Sequence, residues 1–404
     1  MLARRRSRLI RPASAALAAL GALALPPAGE PRTAGAAPPE TLAATTAPSP
    51  GPRAAAIIAG EAYWISLAQV PDGLGPAAGA IARHPLTAEH NPVFVSPYDG
   101  TMGARGMLLA GERYHPMVRA WIDWYFRNLN ELDHNGVSGT IHDHWVDVVT
   151  GQQWFAIDPA TRQPSYDSTD AYAGVFLSLL RAYAQQVPSA HDELRARRDL
   201  IERIALAAVA TEHPSGLTGA RPDWYGEYLL DNIDTAQGLA DYAWLARNVL
   251  RDTTLAERWQ RKAADIRTAV EALLWFPERG MYGWASDQPT PDWDVFYPDA
   301  EVQAWPIIFN YGTAERRAAL FGAFDAAWPQ WVTSVDNPGT TEPQPWPTLA
   351  MAAAVAGRRD RVVAYLDASE QGWVSRGRPW PWSVNDSYWR AATARHARAA
   401  GWIG

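Results

Sequence analysis

Residues 170–183, DAYAGVFLSLLRAY, are apolar or small at nearly every position. A helix that is apolar on all of its sides has to be buried on all of its sides. Residues 234–250 and 347–357 have the same character. These stretches therefore predict helices that form the inside of an α-helical assembly.

A second kind of predicted helix is charged on one face. In residues 115–132, Trp121, Ile122 and Tyr125 recur at helical spacing, whereas Arg119 lies elsewhere on the helix surface. The two kinds alternate along the chain, which predicts an inner and an outer layer. The twelve predicted helices are residues 57–69, 101–111, 115–132, 169–187, 190–212, 234–251, 253–275, 299–310, 313–328, 346–357, 358–370 and 384–400.

The connections between these helices alternate in length. Every second connection has three residues or fewer, and a short connection makes the two helices antiparallel neighbours. The chain therefore predicts six helical hairpins, and closing them into a toroid would place all the long loops on one face. An open helical solenoid is the alternative, although no fixed-period repeat is visible. The long loops are residues 70–100, 133–168, 213–233, 276–298, 329–345 and 371–383.

Acidic and aromatic residues cluster where the long loops enter the apolar helices. Many of the 20 Trp and 15 Tyr residues lie in loops, where a protein core does not need them. The four clusters are Tyr166-Asp167-Ser168-Thr169-Asp170, Trp224-Tyr225-Gly226-Glu227 with Asp231, Tyr297-Pro298-Asp299-Ala300-Glu301, and Trp380-Pro381-Trp382 with Asn385-Asp386.

Residues 57–404 resemble the six-hairpin glycosidase superfamily, the (α/α)6 barrels that include glucoamylases and several endoglucanase families. The resemblance rests on the alternating helices and on the chemistry of the loops, and it assigns no single family. It implies an all-α fold, an (α/α)6 toroid of six helical hairpins, and a glycoside hydrolase that acts on a poly- or oligosaccharide.

The acidic clusters fit that chemistry, because glycoside hydrolysis uses one protonated carboxyl to help the leaving oxygen and one ionised carboxylate to activate water or attack the sugar. The candidate catalytic residues are Glu227, Asp386, Asp170, Asp299, Asp167 and Asp231. Each Asp at a helix start is equally well explained as an N-cap. What favours a function is that all four clusters fall on one predicted rim.

The resemblance implies particular roles for some of these acids. Glucoamylase-like barrels place the acid between the fifth and sixth helices and the base before the twelfth, which here implies Glu227 and Asp386. Endoglucanase-like barrels use an Asp at the start of an inner helix, which implies Asp170 or Asp299. The sequence does not decide between these pairs.

Aromatic faces can stack on the C–H surfaces of sugars, so the loop aromatics are candidates for substrate binding. His142 and His144 also lie in a long loop and could bind sugar or a metal, but we expect no metal site. Tyr98-Asp99-Gly100 matches a turn motif. The candidate substrate-binding residues are Trp224, Tyr166, Tyr297, Trp380, Trp382, His142 and His144.

The N-terminal residues predict export. Arg4, Arg5 and Arg6 precede the apolar run 13–25, which is typical of a signal peptide in residues 1–25 and too short to span a bilayer comfortably. Residues 26–56 are rich in Pro and Ala, which predicts a disordered linker before the catalytic domain. We therefore expect a secreted or periplasmic protein without stable membrane insertion after signal removal.

Composition excludes some classes of function. The net charge of −7 lacks the basic footprint of a nucleic-acid-binding protein. The absence of cysteine excludes disulfides and thiol catalysis. We expect a carbohydrate partner, no cofactor and a monomer.

Two other functions remain open at this point. A polysaccharide lyase or sugar epimerase needs Tyr or His as base, and a lyase also needs Arg to bind a uronate, so His142, His144, Arg221 and Arg378 keep that class open. A non-catalytic carbohydrate-binding protein would keep the aromatic rim but would tolerate loss of any acid.

Overall fold

The computed structural model describes residues 53–288, 290–333 and 344–404. The predicted signal peptide and residues 26–52 of the predicted linker lie outside this part of the chain. The first helix begins at Arg53, four residues before the expected start. Within the described ranges, no helix is both long and apolar enough to cross a membrane.

The described residues contain thirteen α-helices, which fill the twelve predicted positions because one outer helix is divided at Arg197. They are α1 (Arg53–Ser66), α2 (Pro97–Leu109), α3 (His115–Arg127), α4 (Thr169–Gln186), α5 (His191–Ala196), α6 (Arg198–Ala207), α7 (Leu229–Asn248), α8 (Thr253–Leu273), α9 (Ala304–Ile308), α10 (Ala314–Ala327), α11 (Pro347–Val355), α12 (Arg359–Gly372) and α13 (Val384–Ala399).

Six of these helices form a closed inner ring. Each packs against the next in the order α2, α4, α7, α9, α11 and α13, and α13 packs against α2. The remaining helices lie outside, with α1, α3, α6, α8, α10 and α12 each contacting an inner helix. The predicted all-α toroid is therefore confirmed, and the open solenoid is excluded.

Two glycines allow inner helices α4 and α7 to approach closely. A Cβ atom on Gly174 would lie 2.6 Å from the carbonyl oxygen of Asp234, and one on Gly238 would lie 2.3 Å from the carbonyl oxygen of Gly174. Any side chain at either position would push the backbones apart. This contact sets the distance between two helices whose N-terminal turns carry candidate catalytic acids.

Several helix boundaries differ from the expected ones, and the differences move acids into helices. Helix α2 begins at Pro97 rather than at residue 101, and proline suits the first helical turn because it lacks an amide hydrogen. The prediction of a turn at Tyr98-Asp99-Gly100 is therefore wrong, because Asp99 lies in the first turn of α2. Helix α7 begins at Leu229 rather than at residue 234, which places Asp231 in its first turn.

The predicted helix 299–310 is mostly irregular. Residues Phe296–Ala300 form a π-helical turn with extended backbone at Tyr297, Glu301–Gln303 form a 3-10 turn, and only Ala304–Ile308 are α-helical. Two prolines in this segment, Pro298 and Pro306, cannot donate backbone hydrogen bonds, which explains why a long α-helix does not form.

Two small antiparallel sheets lie within the long loops. Strands β1 (Val93–Val95), β2 (His144–Val146) and β3 (Gln153–Phe155) form one sheet, with Val95 opposite His144 and His144 opposite Phe155. Strands β4 (Trp275–Phe276) and β5 (Met281–Tyr282) form the other. The first sheet ties the first long loop to the second.

A buried ion-pair network joins the first helix to the last. Arg390 Nη1 on α13 donates to Glu61 Oε1 on α1 at 2.5 Å, and Arg390 Nη2 donates to Glu370 Oε2 on α12 at 2.6 Å. Arg378 Nε donates to Glu61 Oε2 at 3.1 Å. Glu61 is fully buried and Arg390 is 1% exposed, so each charge depends on its partners.

Replacing Arg390 by Ala should strongly destabilise the protein, because it leaves the Glu61 carboxylate buried with less compensation. The loss of unfolding free energy should be about 3–5 kcal/mol, as for other broken buried pairs. Urea unfolding followed by far-UV circular dichroism measures it. Arg395→Ala is the matched control, because Arg395 is an exposed arginine on the same helix. Equal losses in the two variants would show that the network does not hold the ring closed.

Candidate active site

All six inner helices begin at the end of the toroid where the long loops lie. This follows from the hairpin topology, in which every long loop leads from an outer helix into the start of an inner one. Carboxylates occupy five of these six helix starts, and Thr348 occupies the sixth. We call the carboxylates of Asp99, Asp170, Asp231, Glu301 and Asp386 the carboxylate ring.

Helix geometry explains why acids collect there. The first turn of an α-helix has free N–H groups and the positive end of the helix dipole, both of which favour a carboxylate. The N–H of Ala171 donates to Asp170 Oδ1 at 2.8 Å. At α13, Asp386 and Ser383 form a reciprocal capping box in which the N–H of Ser383 donates to Asp386 Oδ2 at 2.8 Å. The N-cap of α13 is therefore Ser383 rather than Asp386, which takes part in the capping box from the third helical position.

Burial opposes the helix dipoles and determines the protonation of the ring. Asp170 is fully buried and accepts a 2.6 Å hydrogen bond from the Thr218 hydroxyl, yet burial raises its pKa to about 7. Burial, followed by the neighbouring charges of Asp170, Asp167 and Asp234, raises the pKa of Asp231 well above its usual value. Among the described residues, none donates a side-chain hydrogen bond to Asp231. Burial thus favours the protonated form of Asp231.

Two more ring members are Glu301, just before α9 and next to α7 in the ring, and Asp386, on α13 across the ring from α7. Burial raises the pKa of Asp386 to about 7, against the lowering effect of its hydrogen bonds from Ser383. Burial also raises the pKa of Glu301 to about 8, and the Thr348 hydroxyl donates to Glu301 Oε1 at 3.5 Å. Glu301 belongs to one of the acidic clusters in the sequence, but it was not among the predicted catalytic residues.

Asp99, a member of the ring, and Asp143, which lies near it, were not among the candidate catalytic residues expected from the sequence. Asp99 Oδ2 accepts a 2.6 Å hydrogen bond from Arg83 Nε, and both side chains are largely buried. Asp143 accepts from the Tyr172 hydroxyl at 2.9 Å, and burial raises its pKa to about 8. Asp99 could have been found from its position in the first turn of inner helix α2, and Asp143 from its position directly before strand β2.

Asp167 is the solvent-exposed acid of the group. Surrounding protein atoms raise its pKa, whereas the charges of Arg221 and Arg83 lower it. The negative charge of Asp167 also raises the pKa values of Asp143, Asp170 and Asp231. Asp167 therefore lies at the mouth of the ring, where water and a substrate can reach it.

Glu227 has a different environment from the ring acids. Its Oε1 accepts hydrogen bonds from His213 Nδ1 at 2.8 Å and Ser215 Oγ at 2.6 Å, and Oε2 accepts from the Ser286 hydroxyl. Although burial acts against it, these hydrogen bonds lower the pKa of Glu227. The carboxylate is thus held ionised while it links the loop before α7 to the loop around Ser286. Its predicted role as general acid stays a prediction.

Asp299 differs from the ring acids because its carboxylate bonds to the preceding loop. Its Oδ2 accepts the backbone N–H of Asp292 at 2.9 Å, and burial raises its pKa. This contact holds the turn that precedes Glu301. Its catalytic role stays a prediction.

Aromatic side chains line the rim next to Asp231 and Asp167. The Trp224 indole, 41% exposed, donates to the Tyr228 hydroxyl at 2.7 Å, and Tyr228 stacks on Trp284 with ring centroids 5.8 Å apart. The ring centroids of Tyr297 and Trp346 lie 5.7 Å apart. Burial, together with nearby charges that include Asp167, raises the pKa of the Tyr297 hydroxyl. These rings form a surface of the kind that binds sugar faces.

Trp380 lies on the opposite side of the rim. It is 48% exposed, and its ring centroid lies 5.2 Å from that of His84. This contact joins the first long loop to the last. Burial lowers the pKa of His84 to about 4, so the imidazole is neutral.

Four of the predicted substrate-binding residues are buried, which corrects their expected role. Tyr166 is 2% exposed and donates to Asp133 Oδ2 at 2.8 Å, and Trp382 is fully buried and donates to Ser387 Oγ at 2.9 Å. His142 and His144 are at most 4% exposed, and burial lowers the pKa of each to about 4. These side chains support the loops and offer no free face to a sugar.

No group of three or more His, Asp, Glu or Cys residues within the described ranges is arranged to hold a metal ion. Two cavities of about 440 Å³ each lie on the outer side of the toroid, one beside His115 and Tyr183 and the other beside Gly60 and Glu370. Neither is lined by a residue of the carboxylate ring. Chemistry therefore locates the candidate site better than cavity size does.

The fold has known relatives among solved structures. A rhamnosidase from Klebsiella oxytoca with rhamnose bound matches with a TM-score of 0.52 and 15% identity over 74% of this chain, which spans only 57% of that protein. A wild-type glycosidase matches with a TM-score of 0.57 and 13% identity, covering 87% of this chain and 98% of the other. An uncharacterized conserved protein from Thermus thermophilus matches with a TM-score of 0.55 and 14% identity over 85% of this chain and 100% of the other.

These matches confirm the predicted resemblance in fold to glycosidases of the helical toroid type. No family model and no curated protein matches the chain.

The raised carboxyl pKa values predict how stability depends on pH. A carboxyl whose pKa is about 4 in the unfolded chain and higher in the folded protein stabilises the fold fully below pH 4 and loses that contribution as the pH rises through its folded pKa. The acids concerned are Asp143 and Glu301, with pKa values of about 8, and Asp170, Asp234 and Asp386, with values of about 7.

The melting temperature should therefore fall between pH 6.5 and pH 8. Below pH 6.5, His84, His142 and His144 act in the opposite direction, because their lowered pKa values make folding more favourable as they deprotonate. Differential scanning calorimetry across the window measures the fall. Glu301→Gln should make it smaller, and Asp265→Asn, an exposed change on α8, should not. A melting temperature that rises over this window would contradict the buried acids.

Proposed function

We propose that the protein is a glycoside hydrolase whose catalytic carboxyls belong to the carboxylate ring. The single observation that carries the proposal is geometric: Asp231 on α7 and Asp386 on α13 lie at the same end of the closed ring, on opposite inner helices, and only Asp386 is held by hydrogen bonds from Ser383 among the described residues. Two carboxyls whose environments separate their pKa values are the usual sign of an acid and a base. The aromatic rim and the fold support a carbohydrate substrate.

Asp231 is the proposed general acid. Burial raises its pKa and so favours the protonated form, which can donate a proton to the oxygen of the leaving sugar. Tyr228 and Trp224 lie on the same loop and helix start, where they can stack on the sugar being cleaved.

Asp386 is the proposed general base. In the order of the inner ring, α13 lies three positions from α7, which is the opposite side of a six-membered ring. A carboxylate there can take a proton from a water molecule that attacks the other face of the sugar. We propose inversion, in which such a water is activated between two carboxyls about 6.5–9.5 Å apart.

A lyase or epimerase is less well supported. The Tyr98 and Tyr172 hydroxyls have raised pKa values, because burial and neighbouring acids disfavour the phenolate that a base would need. The buried His142 and His144 are neutral but have no access to a substrate. Arg378 is bound to Glu61 on the outer side of the barrel.

The first test is hydrolysis of a panel of neutral oligo- and polysaccharides, measured by the release of reducing ends. Asp231→Asn and Asp386→Asn should each lower kcat by roughly 100-fold or more, because general acid–base catalysis contributes on this order. Asp265→Asn on α8 is the matched control and should keep full activity. Circular dichroism and melting temperature show whether each variant is folded.

Glu227→Gln separates the proposal from the role that the resemblance implies. If Glu227→Gln abolishes turnover while Asp231→Asn retains it, the proton donor is Glu227 and our assignment of Asp231 is wrong. If the wild type binds sugars but no panel member is cleaved, the protein is a carbohydrate-binding protein and the hydrolase proposal fails.

We also propose that the protein acts outside the cytoplasm, on the basis of the arginines and apolar run in residues 1–25. Expression of the full chain in a bacterial host should yield a shortened protein in the periplasm or medium, detected by cell fractionation and N-terminal sequencing. An uncleaved protein that stays in the cytoplasm would contradict export.

A further inference from the structure

The mouth of the inner ring carries a large excess of acidic groups. Asp143, Asp167 and Asp234 lie near the ring: Asp143 accepts from the Tyr172 hydroxyl on α4, Asp167 comes three residues before Asp170, and Asp234 follows Asp231 by three residues on α7. Asp234 lies one helical turn after Asp231 on α7, and it accepts a 2.9 Å hydrogen bond from the Tyr98 hydroxyl. A ligand that enters this mouth therefore meets carboxyl groups on almost every side.

Few cations accompany these acids, and those present are already bound. Arg83 Nε donates to Asp99 at 2.6 Å. Arg221 Nη1 donates to the carbonyl oxygen of Tyr166 at 3.0 Å, and its Nε lies 3.3 Å from Asp223. Arg105 lies over the Tyr388 ring at 4.9 Å. The chain's single lysine, Lys262, binds Glu212 on the outer layer.

We propose that the site accepts uncharged sugars and excludes anionic ones, so that the substrate is a neutral glycoside rather than a uronate or sulfated glycan. This inference rests on the proposed function and specifies its substrate class. Binding a carboxylate sugar here would require either a free cation, which the described residues of the mouth do not offer, or that the surrounding acids be protonated.

Because the surrounding acids must be protonated, the binding of a uronate should depend on pH. The charged and titratable groups around the mouth are Asp99, Asp143, Asp167, Asp170, Asp231, Asp234, Glu301 and Asp386, together with Arg83, Arg105, Arg221 and His84. His84 stays neutral above about pH 5, since its pKa is about 4. The acids lose protons as the pH rises, so discrimination against a uronate should grow between pH 5.5 and pH 8.

The test compares sugars that differ only at carbon six. Glucose, galactose and mannose are each paired with their uronate and with the neutral uronamide, which has nearly the shape of the uronate. Binding to the full-chain wild type and to Asp231→Asn is measured by titration calorimetry, so that no turnover is needed. For the sugar family that binds best, the uronate should bind at least about tenfold more weakly than the hexose, from one like charge at an effective dielectric near 20 with salt screening.

The uronamide decides whether charge or shape is responsible. Uronamide binding close to that of the hexose supports electrostatic exclusion, and weak binding of both the uronamide and the uronate overturns it in favour of a steric limit. Equal binding of hexose and uronate also overturns it. Asp167→Asn, which removes an exposed charge at the mouth, should narrow the gap, whereas Asp265→Asn on the outer layer should leave it unchanged.

The outcomes separate this inference from the proposed function. Selective binding of neutral sugars by a protein that hydrolyses none of the panel would support the substrate class and reject the hydrolase. Hydrolysis of uronate-containing polymers would keep the hydrolase and reject the substrate class. If no sugar of any charge binds, both are rejected.

Discussion

The starts of six inner helices at one end of the toroid are the constraint on which the rest of the site depends. Each start offers unbonded backbone amides and a positive dipole end, and each is surrounded by other helices rather than by water. Acids such as Asp170 and Asp386 meet this need locally, through bonds to Ala171 and Ser383. The same geometry that stabilises helices one by one therefore brings carboxyls together around a common axis.

The opposing effects at this mouth differ in strength from one acid to the next. Dipoles and hydrogen bonds favour ionised carboxylates, whereas burial and neighbouring negative charge favour protonated ones. At Glu227 the three hydrogen bonds prevail, and at Asp231 burial prevails. Residues of one chemical type thus acquire different protonation states because their partners differ, and acid–base chemistry requires that difference.

The fold could be predicted well from the sequence, and the site only in part. Helix α4 begins at Thr169 as expected, because the apolar run and its polar start are both local signals. Asp99 was interpreted as a turn because Tyr98-Asp99-Gly100 has turn composition, and its pairing with Arg83 depends on a loop contact that no local pattern reveals. Trp382 and Tyr166 looked like rim aromatics, but whether a loop side chain faces inward is decided by packing with distant segments.

The buried pair of Glu61 and Arg390 joins residues that are 329 positions apart in the sequence. Every earlier hairpin can pack on its predecessor during synthesis, but the faces of α1 and α2 that pack against α13 stay uncovered until α13 has been made. The nascent chain is therefore an open arc with apolar surfaces at both ends, which is the state most exposed to aggregation. Slow synthesis or truncation near the C-terminus should harm this protein more than an equal change in a fold built from local contacts, and chaperones that hold open chains should be important for its yield.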